Sequence, residues 1–97
     1  MLYVFSIYDS AAGYYKEPFC CNNKGIALRE FADACNNPQT FLGKHPADYT
    51  LFHIGNFDDL TGFFEQFNTH ISLGKAIEFV KSSVAEPRDG FSRDDVN

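Results

Sequence analysis

The chain has no tryptophan, one methionine, and eight lysines and arginines against thirteen acids, for a formal charge of −5. That shortage of bases argues against a protein that holds duplex DNA by generic phosphate contact, because the molecule as a whole repels a phosphate backbone at long range. Cysteine is scarce too, at Cys20, Cys21 and Cys35. The adjacent pair is poorly placed to bridge to itself, so one disulfide to Cys35 at most would leave a thiol over, and this odd count suits a reducing cytoplasm. No apolar run approaches the length of a membrane span. The apolar opening MLYVFSIYD lacks a basic flank and is interrupted by Ser6 and Asp9, so it reads as a first strand and not as a signal peptide. Phosphate-loop, nucleophile-elbow and zinc-protease patterns are missing as well.

What the chain has in quantity is aromatic: eleven Phe and five Tyr among 97 residues. A few large rings must therefore supply much of a core or an interface. The length fits one domain, and 44% apolar against 22% charged residues makes that domain globular.

A shift of 49 positions lays the first part of the chain on the second. Leu2 falls on Leu51, Tyr3 on Phe52, Phe5 on Ile54, Tyr8 on Phe57, Asp9 on Asp58 and Gly13 on Gly62; Asn23, Gly25 and Ala27 then meet Ser72, Gly74 and Ala76. The pattern reads as two copies of one hairpin-plus-helix unit, residues 2–35 and 51–81.

Residues 2–8 alternate as a strand, with Tyr3, Phe5 and Ile7 on one face and Val4, Ser6 and Tyr8 on the other. Residues 9–13 form a hairpin loop in which the Asp9 carboxylate takes backbone N–H groups and Gly13 adopts positive φ. Residues 14–21 return as strand two, and Pro18 puts part of it at an edge or a bulge. Asn23 caps a helix over residues 24–35, with Ala27, Leu28, Phe31, Ala32 and Cys35 at helical spacing, and Pro38 stops it. Residues 39–48 form a long irregular connection. Strand three follows at residues 50–57, with Phe52 and Ile54 toward the helices and Leu51, His53 and Phe57 away from them. Strand four occupies residues 63–67, and Ser72 caps a second helix carrying Leu73, Ile77 and Val80. Residues 82–97 lose periodicity and read as a flexible tail. The resulting fold is α+β: ββαββα, a four-stranded antiparallel sheet with two helices on one face. Its other face would leave Val4, Tyr8, Leu51 and Phe57 uncovered in a monomer, so that set is expected to form a homo-oligomer interface.

Chemistry on this scaffold is sparse. The cysteines and His45, His53 and His70 lack ligand spacing, and Asp58 beside Asp59 is explained by turn chemistry. The expectation is no enzyme, no metal and no cofactor. Tyr8, Tyr14, Tyr15, His53 and Phe57 are candidates to stack unpaired bases, with Lys16, Lys44 and His45 as phosphate contacts. Convergence of Lys16, Lys44, His45 and Lys75 would favour nucleic acid; scattering among acids would favour a protein adaptor.

The runs GKHPADYTLFHIGNFDD, LYVFSIYDS and SLGKAIEF, within residues 2–81, resemble the small nonstructural protein of gokushoviruses, tailless microviruses with single-stranded DNA genomes that infect bacteria. The specific part is G-[KR]-H-P-x-[DE]-[YF]-x-L-F-x-I-G-x-[FY]-D, carried by residues 43–58. This resemblance implies a protein of the host bacterial cytoplasm that stays out of the virion, is commonly labelled DNA-binding, and serves single-stranded genome synthesis and packaging. Its expected partners are single-stranded DNA and the viral replication initiator or a host replication protein. A homo-oligomeric adaptor without nucleic-acid contact is the alternative.

Overall fold

The computed structural model describes residues 1–81. The expected tail, residues 82–97, lies outside them. Strand β1 (Leu2–Asp9) lies inside an antiparallel five-stranded sheet, pairing on one side with two short strands, β2 (Tyr14–Tyr15) and β3 (Phe19–Cys21), and on the other with β4 (Tyr49–Phe57). Strand β5 (Phe64–Lys75) pairs with β4 and forms the far edge. The expected second strand is thus split in two at residues 16–18, where Pro18 has no N–H to donate to the ladder. Ser6 Oγ fills the gap by donating to the Lys16 carbonyl at 2.7 Å.

Both hairpin turns are built as their sequences indicate. Asp9 Oδ1 accepts the N–H groups of Ala11 and Ala12 at 3.0 and 3.1 Å, and Asp58 Oδ1 accepts that of Leu60 at 3.0 Å. Gly13 and Gly62 close the turns at φ 83° and 80°, each donating to the first aspartate's carbonyl at 2.7 Å.

Helix α1 (Lys24–Cys35) is capped by Asn23, whose side chain accepts from Ile26 N at 2.8 Å. It buries Ala27, Phe31 and Cys35, spaced four apart, against the sheet. The long connection is more ordered than expected. Thr40 Oγ1 accepts from Gly43 N to cap a short helix α2 (Phe41–Lys44), whose Leu42 enters the core, and a 3-10 turn (Pro46–Asp48) leads into β4.

The duplication breaks down in two places. Among the described residues no second long helix forms: residues 72–75, assigned to its start, instead belong to β5, with Ser72 opposite Phe52, Gly74 opposite Leu51 and Lys75 opposite Thr50. Gly74 sits there at φ +134°, a conformation closed to a helix and to L side chains generally. Only a 3-10 turn (Ala76–Phe79) follows, with Phe79 packed edge-on against Phe31. Asn36 fastens this turn to α1, donating to the carbonyls of Ala32 and Phe79 and accepting from Lys81 N at 2.7 Å. A ten-residue helix with glycine in its first turn is marginal in water, and the open ladder of β4 takes those residues instead.

The second break concerns which face each β4 residue presents. An offset of 49 carries the odd positions of β1 onto even positions of β4, whereas the observed pairing sets odd positions opposite odd ones over residues 5–9. Phe5 pairs with His53 and Ile7 with Leu51, which turns Leu51 and His53 toward the helices and Phe52 away from them. The core therefore gathers Phe5, Leu51, Tyr49, Ala27, Phe31, Cys35, Leu42 and Ala76. What the 49-residue signal marks is a recurring turn, and the flanking units differ.

Candidate nucleic-acid interface

The face of the sheet turned away from α1 is traced by register. Tyr15, Tyr8, Thr50 and Lys75 form one row across β2, β1, β4 and β5; Ser6, Phe52 and Ser72 form the next. Then come Cys20, Val4, Gly55 and Gln66, and finally Leu2, Phe57 and Phe64. No acid stands in any of these rows. The carboxylates of Asp9 and Glu65 pair with the opposite parity, and Asp58 and Asp59 sit in the hairpin turn. Among the described residues, the paired rows of one sheet face thus carry no negative side chain.

On this face four aromatic rings gather, one from each of four strands. Tyr8 and Tyr15 have centroids 4.8 Å apart, Tyr15 and Phe52 5.8 Å, and Phe52 and His70 6.2 Å. His70 also meets Tyr15 edge-on at 5.3 Å, with its Nδ1 hydrogen-bonded to the Tyr15 hydroxyl at 3.1 Å. At the other end of the face, Phe64 leans over Gly55, where a Cβ would lie 2.7 Å from its ring. Phe57 and Phe64 pair there, half-buried and exposed respectively.

Of the residues singled out in the sequence, Tyr8 and Tyr15 lie in the ring cluster and Phe57 at the far end of the same face. Tyr14 and Lys16 do not join them. Tyr14 pairs with Asp9 on the helix side, and the Lys16 ammonium sits over the rings of Tyr14 and Phe41, at 5.5 and 4.9 Å from their centroids. Lys44 and His45 end α2 on that side, close in sequence to Phe41. The bases therefore divide, with Lys75 on the ring face and the Lys16 group around the edge.

His53 cannot stack a base. It is 6% exposed, enclosed by Tyr3, Phe5 and Phe67 at centroid distances of 5.2, 5.2 and 4.7 Å. Its Nε2 meets Asn56 Oδ1 at 3.1 Å, Asn56 in turn donates to Glu65 Oε1 at 3.0 Å, and Nδ1 is buried without a partner. The expected oligomer face also changes. Leu51 is fully buried on the helix side, and Val4, although on the helix-free side, is only 5% exposed. Both errors come from the inverted face of β4 and from cover that the alternation pattern does not reveal.

Phe52, Phe64 and His70 were missed as members of this face. Either parity of β4 is apolar, so its alternation is ambiguous, and His70 lies in a stretch of β5 without regular alternation. Among the cysteines, burial pushes Cys35 up to about 11 and, with Glu30 as a second cause, raises Cys21. Among the described residues no helix is long and apolar enough to cross a membrane.

Comparison with curated proteins and with solved structures returns no match. A family profile described as Phage ORF5 protein matches residues 2–79, nearly the whole of the described sheet and helices. By that match the chain is a bacteriophage protein and belongs to the Phage ORF5 protein family.

Proposed function

We propose that this phage protein is a non-enzymatic accessory of single-stranded DNA genome synthesis and packaging, of the gokushovirus kind, and that it binds single-stranded DNA on the helix-free face of its sheet. The observation that carries this reading is the cluster of Tyr8, Tyr15 and Phe52, with His70 set beside them, on a face whose rows hold no acid among the described residues. Every base has a face to stack, and a base–aromatic stack contributes roughly 1–3 kcal/mol irrespective of sequence. A duplex hides those base faces and carries denser charge, so it is repelled by the acidic molecule without the compensating stack. Lys75 supplies a phosphate contact on the same row as Tyr8 and Tyr15. The protein works in the host bacterial cytoplasm and stays out of the virion.

The test is a titration with single-stranded and duplex oligonucleotides at two salt concentrations. Preference for the single strand is expected, with Tyr8→Ala and Tyr15→Ala each costing more affinity than Lys44→Ala. Equal binding of both forms would reduce the interaction to generic electrostatics.

A second reading, a homo-oligomeric adaptor that touches the replication initiator or a host replication protein, is favoured by two observations. Lys16 and Lys75 lie on different sides of the sheet, and the β4–β5 turn exposes Leu60 at 92% and Phe63 at 76%. Absence of binding to either nucleic acid at low salt would decide for it.

A further inference from the structure

The pairing of β4 with β5 jumps from His53 opposite Ile71 to Gly55 opposite Gln66, so residues 67–70 stand against Ile54 alone. Such an excursion leaves its own backbone out of the ladder and re-aims its side chains. Here the two ends go to opposite faces, with Phe67 against His53 on the helix side and His70 against Phe52 on the other. Strands β2 and β5 are separated by β1 and β4, which puts their backbones about 14 Å apart at ordinary strand spacing. His70 and Tyr15 nevertheless hydrogen-bond at 3.1 Å, closing a bridge over the sheet. The face beneath has no helix, yet Ser6 is 1% exposed and Val4 5%.

We propose that residues 67–70 are a strap that holds the aromatic face closed through the His70–Tyr15 contact, and that a single strand binds by replacing this contact, its base taking the place of the His70 ring. This rests on the reading of that face as a single-strand site. The free protein is then autoinhibited: apparent affinity is the intrinsic affinity reduced by the fraction of molecules with the strap released. Tyr15 has two opposed roles, since its ring is part of the stacking surface and its hydroxyl is half of the latch.

Two substitutions at this one position separate the roles. Tyr15→Phe keeps the ring and removes the latch; it is expected to tighten binding of a labelled oligo-dT strand about three- to tenfold, the equilibrium worth of one hydrogen bond. Tyr15→Ala removes both and is expected to weaken binding. His70→Ala should follow Tyr15→Phe. Without DNA, backbone order parameters of residues 67–70 should fall from the rigid range near ~0.85 toward ~0.6 in Tyr15→Phe. Affinity unchanged in Tyr15→Phe while Tyr15→Ala weakens it would overturn the strap and leave the binding face standing. If no variant binds DNA, the single-strand reading fails, and with it the proposed replacement of the latch by a base. Order parameters unchanged by Tyr15→Phe would overturn the strap in either case.

Discussion

Leu51 and Phe52 are neighbours with opposite duties, and their contrast measures the face assignment directly. Leu51 is fully buried under α1, whereas Phe52 lies half-covered among the rings of Tyr15 and His70. Leu51→Ala is expected to lower the unfolding free energy by about 2–5 kcal/mol, the usual cost of a core leucine with its cavity. Phe52→Ala should cost clearly less in urea denaturation; the reverse order would return β4 to the parity its alignment with β1 suggests. Asp58 offers a second check at this scale. The Leu60 N–H bonded to its carboxylate, with help from Thr61, holds its pKa below the usual aspartate range. A carboxyl depressed in the folded state stabilises above its unfolded pKa and loses that contribution as pH falls through the folded value. The midpoint difference between the native protein and Asp58→Asn should therefore be full above about pH 4 and shrink below it.

At the scale of elements, a tightly constrained junction is where β4 and β5 meet at Gly55. A Cβ there would strike the Glu65 carbonyl and come 2.7 Å from the Phe64 ring. Backbone cannot yield as a flexible side chain does, so Gly55→Ala is expected to cost about 1–3 kcal/mol, the range for overpacking. A thermal melt checks this, and an unchanged melting temperature would mean that β5 approaches less closely. The turns and α1 were legible because their determinants are local: Asp and Gly at fixed offsets, Asn23 before an apolar stripe of period near four. The place of Pro18 at an edge or a bulge was legible for the same reason, but the division of residues 14–21 into two strands was not. The missing second helix was not, since residues 72–75 follow a capping pattern and only their pairing with β4 competes for them.

For the whole molecule, the distribution of charge matters more than its sum. Thirteen acids outnumber eight bases, yet the rows holding Tyr8, Tyr15 and Phe52 contain Lys75 and no carboxylate. One or two phosphates neutralised on a single strand give a slope of log K against log salt of about −0.7 to −1.4. Lys75→Gln should reduce its magnitude by about 0.7 while stacking persists. A steep slope, beyond about −3, would require the Lys16 and Lys44 side of the molecule to take part as well.

Composition and short-range pattern alone determined an α+β arrangement with an antiparallel sheet, its two Asp-to-Gly turns, the capped helix α1 and an abundance of rings beside few bases. These are properties of neighbouring residues, settled by backbone sterics, local hydrogen bonds and side-chain periodicity. Which rings share a face was decided only by tertiary structure. The register of β1 on β4 sends Leu51 and His53 inward and Phe52 outward, and the four-to-one excursion of β5 carries His70 across to Tyr15. A strand that is apolar on both sides has no preferred face until it pairs. That pairing then determines which of its aromatic residues become core and which remain available to a ligand.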